Sequence, residues 1–309
     1  MNVAVTGAFG YSGRYIAQRL LQAGHDVITL TNSLKRDNPF GDKVEAFPFS
    51  FEDPDWLASS MDGVDVLVNT YWVRFDHRLF THRQAIANTK ILFHAAKKAG
   101  VRRIVHVSIT NPDIHSELAY FRGKAEVEAE LTSLGVSHCI LRPAILFGKE
   151  DILVNNIAWT LRRFPVFGMF GSGDYKLQPI HVDDLAAAVV EKVGGSQNEI
   201  INAIGPETFT YRELVERIKR SLGLRRLVVG LPASLAYAAC CGVGLLVGDI
   251  LVTREEIRGL MAGRLHVEAP PLGRTKLTEW VESRKGTIGR YYTSELVRRL
   301  DRVSEYPSN

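Results

Sequence analysis

Three glycines spaced three residues apart, between an apolar strand and a helical pattern, limit this chain to a small set of folds. Val3 to Val5 form a short apolar run typical of a buried parallel strand, and Gly7, Gly10 and Gly13 follow it. Glycine at the first position permits a tight turn, at the second it lets the backbone approach a pyrophosphate, and at the third it lets helix and strand pack closely. The first N–H groups of the helix, at the positive end of its dipole, then face the phosphates. This turn therefore predicts a site for a dinucleotide.

Strand and helix patterns alternate through the N-terminal half of the chain. Apolar runs that predict further strands occur at residues 27–30, 44–49, 64–68, 104–107 and 138–141. Such alternation is typical of a parallel sheet covered on both faces by helices. After Gly148 the alternation stops, and the rest of the chain has mostly helical patterns. We predict an α/β fold: a doubly wound parallel Rossmann sheet over residues 1–150, and a smaller, mainly helical C-terminal portion over 151–309 that serves a substrate or a partner and sends some chain back to the sheet.

Composition excludes several other classes of protein. Of the 309 residues, 46% are hydrophobic and 23% are charged, which is typical of a globular chain and not of a disordered one. The net charge of +4 is too small and too scattered to indicate a protein that binds nucleic acid. Cys139, Cys240 and Cys241 lack the spacing of metal ligands, so no metal site is expected. Because residues 1–10 carry no export signal, we expect a cytoplasmic protein, peripheral at the inner face of a membrane if an apolar segment contacts lipid.

The stretch from Leu227 to Gly248 contains no charged residue. Because Gly230, Pro232 and Gly242 interrupt it, our first interpretation is a helical hairpin that is buried in the protein or covered by a partner. Its length would also allow contact with a membrane surface or a single span of a bilayer. The sequence therefore leaves a protein or membrane contact through this stretch open.

The segment after the second predicted strand indicates which dinucleotide would bind. In Rossmann folds an acidic residue at this point bonds the ribose 2′-hydroxyl of NAD. This segment has no carboxylate there and instead supplies Thr31, Asn32, Ser33 and Arg36, with Lys35 beside them. Hydroxyls, an amide and cations suit a 2′-phosphate better than a bare ribose, so NADP(H) is favoured over NAD(H). Alternatively, Lys35 and Arg36 belong to a solvated loop.

A tyrosine and a lysine four residues apart, Tyr120 and Lys124, lie at the start of the helix predicted after the fifth strand. Residues at this spacing share a helix face, so the ammonium group can approach the phenol, favour the phenolate and prepare it for acid–base chemistry. Ser108 and Thr110 follow the fifth strand, and the two-residue period of a strand places both hydroxyls on one face. These residues are candidates for a catalytic group, although the tyrosine and lysine also fit an exposed polar helix turn.

The Gly-x-x-Gly-x-x-Gly turn preceded by Thr6, the Tyr-x-x-x-Lys pair and an Arg-Pro segment after the sixth strand resemble the short-chain dehydrogenase/reductase superfamily, particularly its extended and atypical branches. The resemblance implies that Tyr120 is the acid–base residue and that Lys124 assists it. It also implies that Thr110, which aligns better than Ser108, orients the substrate. Cofactor contacts are implied for residues of the first turn, of the strand ends and of the Tyr-Lys helix. These are Gly7, Phe9, Gly10, Tyr11, Ser12, Gly13, Thr31, Asn32, Ser33, Arg36, Ser50, Phe51, Asn69, Thr70, Tyr71, Lys124 and Pro143.

The C-terminal portion resembles atypical members of that superfamily, which are grouped with the nucleotide-binding accessory subunit of respiratory complex I and with bacterial proteins described as nucleoside-diphosphate-sugar epimerases. The resemblance implies, first, an NADP(H)-dependent oxidoreductase that acts on a carbonyl or hydroxyl group of a small molecule. A second possibility is an epimerase or dehydratase with transient hydride transfer, which is disfavoured because Lys176 stands where relatives carry an arginine for the diphosphate. The third is a non-catalytic NADP(H)-binding accessory or assembly protein that docks through residues 227–248.

Overall fold

A computed structural model describes residues 1–304 of the chain. They divide into two compact units, one formed by Met1–Pro143 with Val182–Ala203 and residues 302–304, and the other by Ala144–His181 with Ile204–Asp301. The strands are β1 (Asn2–Thr6), β2 (Asp26–Leu30), β3 (Val44–Phe47), β4 (Val66–Asn69), β5 (Arg103–Val107), β6 (Ser137–Pro143), β7 (Ile145–Phe147), β8 (Val166–Phe170), β9 (Lys176–Leu177), β10 (Pro179–His181), β11 (Glu199–Ala203), β12 (Phe209–Thr210) and β13 (Leu227–Leu231). The helices are α1 (Tyr11–Gln22), α2 (Pro54–Ser59), α3 (His82–Lys98), α4 (Ala119–Ser133), α5 (Leu153–Arg163), α6 (Val182–Val193), α7 (Tyr211–Ser221), α8 (Ala233–Val247), α9 (Arg254–Met261), α10 (Leu277–Ser283) and α11 (Glu295–Leu300), with a 3₁₀ turn at Gly41–Lys43.

The first unit is built on a parallel sheet. Across the described residues its strand order is β3, β2, β1, β4, β5, β6 and β11. β1 lies between β2 and β4, with Val3 opposite both Val27 and Val66. The chain proceeds from β1 to one side through β2 and β3 and continues on the other side with β4, so strand order reverses at β1. Because these strands are parallel, the loops that follow them meet at one edge. The predicted doubly wound α/β Rossmann sheet is confirmed.

Burial on both faces explains why the strands read as nearly continuous apolar runs. Leu67, Ile104 and Ile140, from three neighbouring strands, pack in one core with Phe93 of α3 and Leu131 of α4. All five side chains are fully buried. This packing fixes the strand ends, and with them the edge at which the candidate site residues emerge.

The second unit is mainly helical and has its own apolar core. Ile157 of α5, Leu214 of α7 and Val281 of α10 are buried together in it. Helix α7 begins with a capping box in which the Thr210 side chain accepts from the backbone of Glu213 and the Glu213 side chain accepts from the backbone of Thr210. Short strand pairs, β7 with β10, β8 with β13 and β9 with β12, complete the described part of this unit. The predicted helical character of the C-terminal portion is confirmed.

Residues 227–248 do not form the buried helical hairpin that their lack of charge suggested. They form strand β13, which pairs with β8, and then helix α8. Pro232 separates the two elements because its ring fixes φ and it has no N–H to donate. Within α8 only Ala236 and Gly244 are buried. The hairpin interpretation was wrong because a lack of charged residues does not distinguish a strand from a helix. Nor does it show which face of an element is buried. No helix among residues 1–304 is both long enough and apolar enough to cross a membrane.

Candidate functional site

The turn between β1 and α1 has a geometry that requires glycine. Gly7 has a φ of +68°, in the left-handed region, and its N–H donates to the carbonyl oxygen of Leu30 at 2.8 Å. A Cβ atom on Gly13 would lie 2.3 Å from the Gly7 carbonyl oxygen, and one on Gly10 would lie 3.2 Å from it. Gly10 is the N-cap residue of α1 and provides no side-chain cap. The first N–H groups of α1 are therefore arranged as in anion-binding helix termini.

The other residues predicted in this turn differ in exposure. Phe9 is buried, whereas Tyr11 and Ser12 are half-buried at the start of α1. The backbone N–H of Ala8 donates to Thr29 Oγ1 at 3.0 Å and ties the turn to β2. Phe9 thus supports the turn from the interior, while Tyr11 and Ser12 keep part of their surface exposed at the N-terminal end of the helix.

At the end of β2 the structure separates the two predicted cations. Arg36 is buried at 8% exposure, and Lys35 is exposed. The Arg36 N–H donates to the Ser33 carbonyl at 3.1 Å, and the Ser33 N–H donates to Thr31 Oγ1 at 3.0 Å. Ser33 and Thr31 are buried, whereas Asn32 is exposed. The segment therefore folds back on itself, with Arg36 and the two hydroxyl residues inside and Lys35 in solvent.

Aromatic rings meet where β3 and β4 end. Phe49 and Phe51 stack with their centroids 5.0 Å apart and their planes 13° apart. The Tyr71 ring is tilted against both, at 5.2 and 5.4 Å, and its hydroxyl accepts from Asn88 Nδ2 at 3.0 Å. Ser50, between the two phenylalanines, is half-buried. Phe49 was not among the residues predicted from the sequence, because stacking of residues two apart depends on the local backbone path and not on spacing alone.

Asn69 is fully buried and joins three strands through its amide. Its Oδ1 accepts from Thr6 Oγ1 at 3.2 Å, and its Nδ2 donates to His106 Nδ1 at 3.1 Å. Burial lowers the pKa of His106 well below its ordinary value, so the ring is neutral and accepts at Nδ1. Thr70 follows, and its N–H and hydroxyl donate to Thr6 Oγ1 and to the Thr6 carbonyl, each at 2.7 Å. The Asn69 amide is thus used inside the sheet, where it positions the loop that continues into Thr70 and Tyr71.

Tyr120 and Lys124 share one face of α4, and both contact Trp72. Lys124 is buried, with its Nζ donating to the Val107 carbonyl at 3.0 Å and lying 4.4 Å from the centroid of the Trp72 ring. Burial lowers the pKa of Lys124 to about 7, and the charge of Glu128 opposes this effect. Tyr120, one turn earlier, packs edge-on against Trp72 with centroids 5.9 Å apart. A phenol and a buried amine are therefore held beside the same indole.

The two predicted hydroxyls, Ser108 and Thr110, lie just after β5 and are both buried. Among the described residues, Ser108 Oγ has no hydrogen-bond partner. The Thr110 N–H donates to the Pro143 carbonyl at 3.0 Å, so Pro143 enters the site through its backbone. Asn111 follows with a φ of +51°, an uncommon conformation for a residue other than glycine, and the extended segment ends there.

Glu128, on the same helix as Tyr120 and Lys124, forms an ion pair with Arg142. Arg142 Nε donates to Glu128 Oε1 at 3.0 Å, and an Arg142 terminal nitrogen contacts Glu128 Oε2. Glu128 lies one helical turn after Lys124 and is buried. Burial has the largest effect on the Lys124 pKa and lowers it, whereas the charge of Glu128 raises it. Glu128 had no signal in the sequence beyond its spacing from Lys124.

These groups give the sheet edge a defined chemistry. It has a glycine turn at the N-terminus of α1, a stacked aromatic surface, and a phenol near an amine whose pKa is about 7. Such a phenol can exchange a proton with an oxygen of a bound molecule. Sequence reasoning missed Trp72 and His82, whose rings both pack on Tyr120, because only tertiary contacts bring them there. Within residues 1–304, no cluster of histidine, cysteine and carboxylate side chains is placed to hold a metal ion.

Comparison with known proteins gives a family for the first two thirds of the chain. A model of the NAD dependent epimerase/dehydratase family matches residues 3–203. The mitochondrial NADH dehydrogenase (ubiquinone) 1 alpha subcomplex subunit 9 of Arabidopsis thaliana is 28% identical over 259 residues, covering 80% of this chain and 64% of that protein. The mitochondrial NADH-ubiquinone oxidoreductase 40 kDa subunit of Neurospora crassa is 29% identical over 240 residues, covering 75% of this chain and 63% of that protein. The chain thus spans less than two thirds of either relative.

A solved structure shows the same fold over most of the chain. Triphenylmethane reductase from Citrobacter sp. superimposes with a TM-score of 0.77 at 18% identity, covering 93% of this chain and all of that one. Its complex with NADP(H) superimposes with a TM-score of 0.74, covering 92% of this chain and 99% of that one. At this level of identity the likeness establishes the fold alone.

Proposed function

Because this chain belongs to the NAD dependent epimerase/dehydratase family, we propose that it binds NADP(H) in its first unit and acts as an oxidoreductase on a carbonyl or hydroxyl group of a small molecule. The matched region includes the glycine turn and the pair Tyr120 and Lys124. The observation that carries the proposal is the shared placement of this pair on α4, with Lys124 buried and its pKa lowered to about 7. A group that titrates near neutral pH suits proton transfer.

The first unit has the shape that a dinucleotide requires. A Cβ on Gly10 or Gly13 would crowd the Gly7 carbonyl, so the glycines keep the start of α1 open to close approach. The N–H groups of that first turn would hold the pyrophosphate. The stacked rings of Phe49 and Phe51 would offer a flat apolar surface to the adenine.

The preference for NADP(H) rests on charge at the end of β2. Arg36 is buried beside the buried hydroxyl residues Thr31 and Ser33. A guanidinium group binds a phosphate with paired hydrogen bonds, and hydroxyls add further donors. These residues would therefore hold the 2′-phosphate, and exposed Lys35 would add at most a screened charge.

Bound NADP(H) would supply or accept the hydride. As a substrate carbonyl carbon is reduced, the Tyr120 hydroxyl donates its proton to the carbonyl oxygen, so that C=O becomes CH–OH; in the oxidative direction the phenolate takes that proton back. The protonated form of Lys124 favours the phenolate. Ser108, whose hydroxyl makes no hydrogen bond within the described residues, would orient the substrate oxygen, with Thr110 as the alternative.

A second candidate is a non-catalytic accessory protein that binds NADP(H). The Lys124 Nζ is engaged by the Val107 carbonyl and the Trp72 ring, and the Tyr120 ring packs against Trp72 and His82. A pair fixed in this way would have to rearrange in order to act on a substrate. Two relatives are named as subunits of mitochondrial NADH dehydrogenase complexes, which also favours this candidate.

Turnover of the reduced cofactor by the Tyr120→Phe variant separates these functions. The protein is incubated with NADPH and a panel of ketones, aldehydes and quinones, and the absorbance of the reduced nicotinamide is followed. For an oxidoreductase we expect Tyr120→Phe to lower kcat by about 100-fold or more with NADPH affinity unchanged. Tyr291→Phe, at an exposed tyrosine, is the matched control and should behave as the wild type.

Other outcomes reject the proposal. Equal turnover by Tyr120→Phe and wild type would remove Tyr120 from the chemistry. NADPH binding without turnover of any substrate would favour the accessory function. Conversion of a sugar nucleotide with no net change in the cofactor would indicate an epimerase instead.

A further inference from the structure

Helix α8 presents an uncovered apolar face along its whole length. Leu235, Leu245 and Leu246 are 59%, 88% and 80% exposed. At the helical period they fall on one side of the helix, with exposed small residues between them. The full set on this face is Leu235, Ala238, Ala239, Gly242, Leu245 and Leu246. We call this set the α8 face.

The opposite side of α8 fastens the helix to the second unit. Ala236 is buried in an apolar cluster with Phe170 of β8 and Ile257 of α9, and Tyr237 and Cys240 pack against that cluster. The uncovered side therefore belongs to a helix that is held in place. A surface of this kind is typical of a contact site, since single exposed leucines are common but a continuous apolar stripe is not.

Two exposed arginines of the neighbouring helix α9 provide positive charge near α8. The guanidinium carbon of Arg254 lies 5.1 Å from the centroid of the Tyr237 ring, which places a positive charge directly alongside the helix. Arg258 is one turn further along α9, on the same face and also exposed. The carboxylate of Glu256 accepts from Thr253, so it is used in the capping of α9. Arg254 thus lies beside α8 at Tyr237, and Arg258 is the next exposed residue of α9, with the half-buried Glu255 between them in sequence.

The carboxylate of Asp249 is also engaged in hydrogen bonds inside the protein. Asp249, just after α8, is buried and accepts from the Tyr292 hydroxyl at 2.7 Å and from the N–H groups of Glu295 and Leu296 at 3.0 and 3.1 Å. Since Asp249 is committed to these contacts, it does not offset Arg254 and Arg258 at the surface. An anionic surface that approaches α8 would therefore meet an apolar stripe with exposed guanidinium groups near it.

We propose that α8 docks in the plane of an anionic phospholipid membrane, with the α8 face in the acyl boundary and Arg254 and Arg258 on lipid phosphates. Its 15 residues are about 22 Å long, which fits a helix lying along the surface better than one crossing a hydrocarbon core of about 30 Å. The α8 face offers no charged or hydrogen-bonding side chain to specify a protein partner, and lipid requires none. This inference does not depend on the proposed chemistry.

Vesicle flotation of the full chain tests the proposal. We expect association with vesicles of phosphatidylcholine mixed with phosphatidylglycerol, and much weaker association with phosphatidylcholine alone. The double variant Leu245→Ser/Leu246→Ser should lose about tenfold or more in affinity, since both side chains would leave the acyl region. Leu79→Ser, at a leucine that is 58% exposed in the first unit, is the matched control and should bind as the wild type.

Variants of the two arginines test the electrostatic part of the proposal, and other outcomes would overturn it. Arg254→Gln/Arg258→Gln should weaken binding to the anionic vesicles and reduce its sensitivity to salt. Absence of association with either kind of vesicle would overturn the proposal. So would a dimer in sedimentation velocity that Leu245→Ser/Leu246→Ser converts to a monomer, because the α8 face would then be an interface between copies. Equal binding to both vesicle types would overturn the role given to the arginines.

Discussion

The Nζ atom of Lys124 lies 4.4 Å from the centroid of the Trp72 ring, in a position from which water is excluded. A cation over an indole face is stabilised electrostatically, but less than it is by full hydration. Burial lowers the pKa of Lys124 to about 7, so the side chain changes charge near neutral pH. The charge of Lys124 therefore depends on pH, and this dependence can be tested directly.

Replacement of Lys124 by methionine should remove a pH-dependent contribution to stability. The pKa is about 7 in the folded state and about 10.4 in an unfolded chain, so between these values the unfolded state binds more protons. The free energy of unfolding of the wild type should therefore rise relative to Lys124→Met from pH 7 to pH 10, by at most about 1.4 kcal/mol per pH unit. Urea unfolding at pH 7 and pH 9 measures it. Lys98→Met, at an exposed lysine, is the control, and a constant difference between wild type and Lys124→Met would contradict the assignment.

Removing one partner of the ion pair between Glu128 and Arg142 should lower the free energy of unfolding. Arg142→Met leaves the buried Glu128 carboxylate uncompensated, so we expect a loss of about 3 kcal/mol in the free energy of unfolding. Glu128→Gln/Arg142→Met removes both charges and should recover much of that loss. Chemical denaturation measures both. The exposed pair of Glu282 and Lys285 is the control, since Lys285→Met should change stability little. Equal stability of the single and double variants would show that the charge of Glu128 is not the cause.

Alanine at position 13 should distort the glycine turn. Its Cβ would lie 2.3 Å from the Gly7 carbonyl oxygen, and because that atom is backbone the helix or the turn must shift. We expect Gly13→Ala to lower the free energy of unfolding by about 2 kcal/mol and to weaken NADPH binding. Gly194→Ala, where a Cβ meets nothing within 4 Å, should stay within about 0.5 kcal/mol of the wild type. Thermal melts with and without NADPH compare the two variants. If Gly13→Ala were as stable as Gly194→Ala, the turn would have room for a Cβ atom at position 13.

Asp151 should make the protein less stable as the pH rises. Its Oδ1 accepts from the Val154 N–H at 2.7 Å, and Oδ2 has no hydrogen-bond partner among the described residues. Burial raises its pKa to about 7, above the unfolded value of about 3.9. The folded state therefore binds more protons between these values, and the stability that results is present at low pH and is lost as the pH rises through 7.

Asparagine at position 151 keeps an acceptor for the Val154 N–H but cannot ionise. We expect Asp151→Asn to be more stable than the wild type at pH 8, by about 1 kcal/mol or more, and to approach it at pH 5. Urea unfolding at both pH values gives the comparison. Asp53→Asn removes an exposed carboxylate that caps α2 and serves as the control. If Asp151→Asn and wild type differed equally at both pH values, the raised pKa would be ruled out.

The sequence predicted the parts of this molecule that local patterns determine. Buried runs such as Val3 to Val5 identify parallel strands, and glycines at 7, 10 and 13 identify the turn because their spacing follows from its backbone path. The tyrosine and lysine of α4 were found in the same way. Each of these signals lies within a few residues of chain.

Features that depend on distant contacts could not be predicted. Nothing near Trp72 in the sequence shows that it covers Lys124, because 52 positions of chain separate them and only the packed sheet brings them together. The engagement of Asn69 by Thr6 and His106 has the same origin. The exposure of α8 was missed because hydropathy reports what a side chain prefers and not what covers it.

Calorimetric titration with NADPH and NADH measures the dinucleotide binding on which the proposed function depends. We expect saturable binding of NADPH, about tenfold tighter than that of NADH, and we expect Arg36→Ala to remove the difference. Gly10→Asp, which would place a carboxylate against the pyrophosphate, should abolish binding of both. An absence of saturable binding with either dinucleotide, or tighter binding of NADH than of NADPH, would contradict the proposed binding of NADP(H).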